Sequence, residues 1–291
     1  MQVAFLNGLI AGSIYALIAI GFVVIYRTVR FFHIAHGVVY AVGAYVAFSV
    51  VRQLGWHPMI GFFFAVVVAG IGGVAIDRAV YRPLRRRRAA NLVYLIASFG
   101  VFILVQNLLQ ILYGAQILTL RTGPVKEGHH ILGAVITDIQ IIILAVSIIL
   151  LIVTWLFIQR TRLGKAMRAV ADDRLGASVV GIDPERIITS SFFMGSCWAG
   201  AAGVPASLGT ISEPTMGFHP LPKGTIAAII GGIGSIPGAV AGGFFLGLVE
   251  NLGIWKIQAG WKDSIAFGVL ILFLLLRPGG IMGHKAAGER I

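Results

Sequence analysis

Residues 139–158 read IQIIILAVSIILLIVTWLFI, a run of 20 residues without one charged side chain. As an α-helix, such a run is about 30 Å long, which matches the hydrocarbon core of a bilayer. Charged residues stand just outside it, with Asp138 before the run and Arg160 after it. The stretch therefore predicts a membrane-spanning helix and places the chain among membrane proteins.

The composition of the whole chain supports this class. Its 291 residues are 58% hydrophobic and 12% charged, and a soluble domain carries about 25% charged residues. So few charges cannot cover a water-facing surface, which excludes a soluble enzyme, and the high hydrophobicity excludes a disordered chain. The length admits roughly eight to ten crossings. We therefore expect an all-α, polytopic transmembrane helical bundle in one domain, 1–291.

Other apolar stretches predict the remaining helices, and they divide into long spans and shorter, often glycine-rich ones. The long spans are residues 3–26, 59–76, 91–113 and 187–208. The shorter ones are residues 37–51, 238–254 and 264–276. Glycines spaced four residues apart predict close helix crossings; these pairs are Gly8 and Gly12, Gly238 and Gly242, and Gly243 and Gly247.

The net charge of +12 is unevenly distributed. Nearly all of the surplus falls in residues 27–30, 77–90 and 159–186 and in the tail from residue 277. In a soluble protein such a surplus would indicate nucleic acid, whereas in a membrane protein it reports orientation through the positive-inside rule. We therefore expect these segments in the cytoplasm, the N-terminus outside, the C-terminus inside, and no nucleic-acid partner.

Residues 231–238, GGIGSIPG, must break any helix. The run lacks the Lys-Ser/Thr ending of a nucleotide-binding loop, so this run does not make the chain an ATPase. Two interpretations stay open, namely a tight turn between two half-helices and a backbone that lines a translocation path. A weak internal repeat relates Pro237-Gly238 to His36-Gly37, because a glycine-bearing helix is predicted after each of them.

Three ionisable residues in apolar surroundings have open roles. His33 and His36 are spaced to share a metal on a helical face, but no third ligand is near, so we expect no metal site. A buried imidazole bonded to backbone near Gly37 and a place along the substrate path both remain open. Glu250 is either solvated at a helix end or a buried partner for some donor.

The connection at about 159–187 is predicted to be ordered. A helix from Leu163 would be amphipathic, Asp173 would cap a second short helix that ends at Gly181, and Asp183-Pro184 would begin the next span. One interpretation is a helix on the membrane surface. The other is a docking element for a cytoplasmic partner.

Residues 161–172, TRLGKAMRAVAD, followed by Gly181-Ile182, resemble the ATPase-coupling loop of branched-chain amino acid ABC transporter permeases. Tyr15-Ala16-Leu17, residues 34–37 (IAHG), residues 231–239 and residues 277–280 (RPGG) resemble the same family in the same order. The resemblance covers nearly the whole chain and looks most like the H-type subunit, the first of two permease subunits. One departure bears on the substrate, because the family usually has an asparagine and an aromatic where this chain has His33 and Ile34.

The resemblance implies a transport subunit rather than an enzyme. It would pass amino acids, branched-chain ones first, across a bacterial inner membrane. The implied partners are a second permease subunit, two cytoplasmic ATPases that hold ATP and Mg, and an extracytoplasmic substrate-binding protein; this chain would hold no cofactor. Another small polar solute, such as urea or an organic acid, is an alternative. So is a self-sufficient channel or secondary carrier, although acids for an ion relay are nearly absent from the apolar spans.

Two sets of residues become candidate sites. The residues expected to contact or serve the ATPases are Arg162, Gly164, Lys165, Ala166, Arg168, Ala169, Asp172, Gly181 and Ile182. The residues expected along the substrate path are His33, Ala35, His36, Gly37, Gly231, Gly232, Gly234, Ser235 and Pro237.

Overall fold

Helices dominate the computed structural model, which describes residues 1–120, 128–131, 134–209, 212–255 and 257–282. In the first half of the chain the helices are α1 (Gln2–Val29), α2 (His36–Phe48), α3 (Pro58–Ile76), α4 (Arg82–Arg86), α5 (Asn91–Tyr113) and α6 (Asp138–Arg160). The second half contains α7 (Arg162–Asp172), α8 (Arg174–Val179), α9 (Pro184–Gly209), α10 (Pro220–Gly231), α11 (Ile236–Gly253) and α12 (Lys262–Leu276). Strands β1 (His129–Ile131) and β2 (Ala134–Ile136) pair antiparallel, a hairpin that the sequence pattern did not predict.

Six helical stretches in the described residues are long and apolar enough to cross a membrane. They are Gln2–Val29, Pro58–Arg86, Asn91–Tyr113, Asp138–Arg160, Pro184–Gly209 and Ile236–Gly253. The predicted class, an all-α polytopic membrane protein, is confirmed. Three further apolar helices, α2, α10 and α12, have 13, 12 and 15 residues, so the predicted range of eight to ten crossings stays a prediction.

The span predicted at residues 59–76 extends further than the sequence indicated. A π-helical turn, Asp77–Tyr81, joins α3 to α4, so helix continues to Arg86. Treating residues 77–90 as a connection was therefore wrong over most of its length. Pro83 stands at the start of α4, directly after the π-helical turn, and the helix continues past it to Arg86.

The chain divides into two compact units. Unit 1 comprises residues 1–23, 122–151 and 222–291, and unit 2 comprises residues 24–121 and 152–221. The single permease domain over 1–291 stays a prediction.

Unit 2 is built on close contact between α2, α3 and α9. A methyl group on Gly43 would overlap the backbone of Gly200, and one on Gly200 would overlap Ala69. A Cβ on Gly37 would lie 2.5 Å from the carbonyl oxygen of Gly217. Small residues therefore set the spacing of these helices, as in other bundles that pack in lipid.

Unit 1 packs α1 against α11 through the glycine pairs expected from sequence. A Cβ on Gly12 would lie 2.8 Å from the Cα of Phe244, and one on Gly8 would lie 3.0 Å from the Cα of Leu248. On the other helix, Gly243 and Gly247 face the backbone of Ala16 and Gly12. The four-residue glycine spacing thus marks a helix crossing, as predicted.

Candidate coupling and substrate sites

The predicted coupling segment folds into two short helices. Thr161 Oγ1 accepts from the Gly164 N–H at 3.0 Å at the start of α7, a cap that the sequence did not lead us to expect. The caps that were predicted are those at Asp173, Gly181 and Asp183. Asp173 Oδ1 accepts from the Leu175 N–H at 2.9 Å at the start of α8. Gly181 ends the segment with φ +85°, and Asp183 Oδ1 accepts from the Glu185 N–H at 3.0 Å as α9 begins. These predictions of local structure are confirmed.

The apolar face of α7 is covered by protein. Met167 and Val170 pack with Ala177 of α8 and Ile187 of α9 in one buried cluster. A helix that lies on a membrane surface needs this face for lipid. The surface-helix interpretation is therefore wrong for α7.

The candidate coupling residues divide by exposure. Arg162, Lys165, Asp172 and Gly181 are exposed, and Ala166, Arg168, Ala169 and Ile182 are partly buried. Gly164 is buried, and a Cβ there would overlap the backbone of Ile158. Gly164 therefore serves the chain's own packing at the turn from α6 into α7.

An apolar patch that the sequence analysis did not single out lies on α8 and just beyond it. Leu175, Val179 and Val180 are 80%, 87% and 73% exposed. Leu175 and Val179 are four residues apart, which places them on one face of the helix. We call these three residues the docking patch. Their signal in the sequence was weak, because valine and leucine in so apolar a chain do not stand out.

Three arginines link the predicted coupling segment to the end of α1 and to the residue that follows it. The Arg30 guanidinium donates to the Ala171 carbonyl at 3.0 Å, and Arg174 donates to the Thr28 carbonyl. Arg27 lies 3.6 Å from Asp172. Carbonyls at helix ends have no partner within their own helix, so these arginines fasten the junction of α7 and α8 to the end of α1.

A second ionic cluster joins the π-helical turn to the start of α9. Arg85 donates to Asp77 at 2.7 Å and to both carboxylate oxygens of Glu185 at 3.1 and 2.9 Å. Thr189 donates to the other oxygen of Asp77 at 2.9 Å. Asp77 is fully buried. The sequence did offer a signal, since Asp77 is the single acid in a strongly basic stretch.

His33 occupies an aromatic cluster of unit 2. It is fully buried, its Nδ1 lies 2.9 Å from the Tyr81 hydroxyl, and its ring meets that of Phe192 edge-on at 5.3 Å. Burial lowers the pKa of His33 well below its usual range, and the nearby His36 lowers it further. The imidazole of His33 is buried, as one of the two interpretations has it, but the partner of its Nδ1 is the hydroxyl of Tyr81 and not backbone near Gly37.

The residues that follow His33 are also enclosed. Ala35, His36 and Gly37 are buried, and the Ala35 N–H donates to Ser98 Oγ at 2.9 Å. Within the described ranges, no group of three or more His, Cys, Asp or Glu side chains is arranged to hold a metal. The role of residues 33–37 along a substrate path stays a prediction.

The glycine-rich break forms a tight turn between α10 and α11, so the first of its two interpretations is confirmed. Gly232 has φ +105°, and Ser235 Oγ accepts from the Gly238 N–H at 3.1 Å to cap α11. The N–H groups of Ile281 and Met282 donate to the carbonyls of Ile230 and Gly231 at 2.8 and 3.0 Å. The chain after α12 thus caps the end of α10.

Among the break residues predicted for the substrate path, exposure varies. Gly231 and Gly232 are buried, Ser235 is half-buried, and Gly234 and Pro237 are exposed. Their place along a path stays a prediction.

Glu250 of α11 is the buried partner rather than the solvated one. It is fully buried, and its Oε2 accepts from the Tyr15 hydroxyl at 2.9 Å and from Lys223 Nζ at 3.3 Å. Lys223 also lies 3.0 Å from Asp263. Glu250 Oε1 has no hydrogen-bond partner among the described residues. The sequence pointed to Glu250 but gave no sign that Lys223, Tyr15 and Asp263 surround it.

Comparison with known proteins identifies relatives over nearly the full length. The profile of a family described as branched-chain amino acid transport system / permease component matches residues 4–275. The high-affinity branched-chain amino acid transport system permease protein LivH of Escherichia coli K12 is 38% identical over 293 residues, covering 96% of this chain and 94% of that protein. Its counterpart BraD of Pseudomonas aeruginosa is 38% identical over 292 residues, with the same coverage.

A solved structure supports the fold. The complex described as PsaBC from Streptococcus pneumoniae with Fab contains a chain that matches with a TM-score of 0.53 at 15% sequence identity. The match covers 96% of this chain and 92% of that one. At this identity the likeness concerns the arrangement of helices alone.

Proposed function

Because the chain belongs to the family of branched-chain amino acid transport permease components, we propose that it is a permease subunit of an ATP-driven importer for branched-chain amino acids. In this role it supplies the membrane path and two conformations of that path, while partner subunits carry out the chemistry. ATP and Mg bind to those partners. The full assembly contains a second permease subunit, two cytoplasmic ATPases and an extracytoplasmic binding protein.

One observation carries the proposal beyond family membership, and it is the construction of the α7–α8 segment. The docking patch presents exposed apolar side chains, and the segment beneath it is rigidly capped and packed. A group of exposed apolar residues is typical of a protein-binding surface. We assign this patch to the ATPase interface.

The arginine contacts give a movement imposed by the ATPases a route into the permease. Arg30 and Arg174 join the α7–α8 junction to residues 28–30, which lead directly into the turn that holds His33. A displacement of the docking patch therefore reaches that turn through hydrogen bonds and a few residues of chain. Transport then depends on the difference in binding between two conformations.

The orientation follows from the same assignment. An ATPase interface must face the cytoplasm, which is the side that the positive-inside rule gives to residues 159–186. We therefore place the protein in the bacterial inner membrane with the N-terminus outside and the C-terminus in the cytoplasm. Exposed Trp56, Trp255 and Trp261 suit the outer interface in this orientation.

The test uses the reconstituted importer. ATP should drive accumulation of labelled leucine in proteoliposomes only when the binding protein and both ATPases are present. Leu175→Ser with Val179→Ser should weaken ATPase binding at least about 10-fold, because burying an apolar side chain contributes about 1.5–3 kcal/mol. Arg186→Ser, at an exposed position outside the patch, is the matched control and should bind the ATPases normally.

Three results would contradict the proposal. Unchanged ATPase binding by the double serine variant would show that the interface lies elsewhere. Leucine-specific flux through the purified chain without ATPases would identify a self-sufficient carrier, and accumulation of urea or an organic acid instead of leucine would change the substrate.

A further inference from the structure

Unit 1 contains an ion pair with an uncommon environment. Lys223 Nζ and Glu250 Oε2 lie 3.3 Å apart, and the Lys223 side chain is 14% exposed while that of Glu250 is fully buried. The Lys223 ammonium also lies 5.6 Å from the centre of the Tyr15 ring. Tyr15 stands at the middle of α1 (Gln2–Val29), about 20 Å from either helix end. Lys223 stands in the first turn of α10 and Glu250 in the last turn of α11, so the pair lies near the ends of these two helices. Buried ionisable side chains of membrane proteins usually line a transport path or pair with one another.

The carboxylate of Glu250 is incompletely satisfied. Its Oε2 receives two donors, Tyr15 and Lys223, whereas Oε1 receives none from the described residues. A buried acceptor without a donor is energetically unfavourable, and more so when it is charged. A carboxylate that is held by two donors on one oxygen and by none on the other is suited to a ligand that brings an N–H group.

We propose that Lys223, Glu250 and Tyr15 form an intermediate binding site for the zwitterionic head of an α-amino acid, with the substrate ammonium on Glu250 Oε1 and the substrate carboxylate on Lys223. Tyr15 holds the Glu250 carboxylate in place through its hydroxyl. This inference rests on the proposed function and names the substrate group that the site reads. In the present conformation Glu250 is covered, so the substrate reaches it in another state of the transport cycle.

The charges near the site favour a zwitterion over other small solutes. An ammonium and a carboxylate side by side match a ligand with one charge of each sign. The carboxylates of Glu250 and Asp263 are balanced by Lys223 and the nearby Lys262, so an organic acid that took a lysine would leave a carboxylate without its cation. A neutral solute such as urea gains nothing from a buried ion pair, whose desolvation is costly.

The decisive variant removes both charges together. Lys223→Gln with Glu250→Gln keeps the side chains close to their original size and leaves no uncompensated charge in the apolar interior. In proteoliposomes with saturating leucine-loaded binding protein, we expect leucine imported per ATP hydrolysed to fall at least about 10-fold, because charge-assisted hydrogen bonds to the substrate are lost. Assembly and binding-protein-stimulated ATP hydrolysis should be retained. Asp138→Asn, which removes a carboxylate that is 49% exposed and pairs with His129, is the control and should keep the wild-type ratio.

Each outcome decides the matter. An unchanged ratio of leucine to ATP in the double variant overturns the site, provided that the wild-type importer transports leucine. If the double variant does not assemble, Glu250→Gln alone carries the same expectation, and failure of both to assemble identifies the pair as structural and overturns the proposal. A wild-type importer that accumulates no amino acid contradicts the proposed function itself, which is a separate result.

Discussion

Replacing Arg85 with methionine should destabilise the protein by about 3 kcal/mol, the low end of the cost of breaking a buried ion pair. The magnitude follows from the two partners. Asp77 is fully buried and would keep only the Thr189 hydroxyl. Glu185 has a 41% exposed side chain, so water would replace the arginine there at little cost. The measurement is the free energy of unfolding of the purified chain in SDS–detergent mixtures, followed by tryptophan fluorescence.

Two further variants make this prediction decisive. Arg82→Met removes a neighbouring arginine that is 40% exposed and 3.8 Å from Glu185, and exposed pairs contribute about 0–1 kcal/mol. Adding Asp77→Asn to Arg85→Met should recover at least half of the loss, since no buried charge then remains unpaired. Equal effects of Arg85→Met and Arg82→Met would refute the reasoning.

The remaining predictions concern packing and topology. Gly43→Val should destabilise unit 2 by about 1–3 kcal/mol through overpacking, because a methyl group there already overlaps Gly200. Gly72→Ala, at a position with open space, should be neutral in the same unfolding assay, and equal losses would contradict the packing argument. In a Cys197→Ser background, Arg86→Cys should react with an impermeant maleimide only from the cytoplasmic side and Leu54→Cys only from outside. The reverse pattern would invert the proposed orientation.

Local sequence signals predicted the coupling segment well. Asp173, Gly181 and Asp183-Pro184 define helix ends through side-chain and backbone geometry that depends on a few neighbouring residues. The break at residues 231–238 was readable for the same reason. Each of these features could be derived from a short stretch of sequence, because the physics that sets it acts within one or two helical turns.

Tertiary partners could not be derived in this way. Tyr81 approaches His33 because a π-helical turn carries α3 onward into α4, and no periodicity in the sequence indicated that turn. Lys223 and Glu250 meet because α10 and α11 fold back at the glycine break, so their pairing depends on the packing of unit 1. The surface proposed to bind the ATPases could not be predicted from the sequence either, because the docking patch becomes visible only once the exposure of the α8 side chains is known.

The environment of His33 changes how its departure from the family pattern is interpreted. From the sequence alone, a histidine in place of the usual asparagine put the usual substrate in doubt if this segment touches the substrate. In the structure the imidazole reaches the Tyr81 hydroxyl and packs edge-on against Phe192. The adjoining Ala35 N–H is held by Ser98, so the turn is fixed from two sides within unit 2. Packing within unit 2 therefore gives His33 a structural role, while its place along a substrate path stays a prediction.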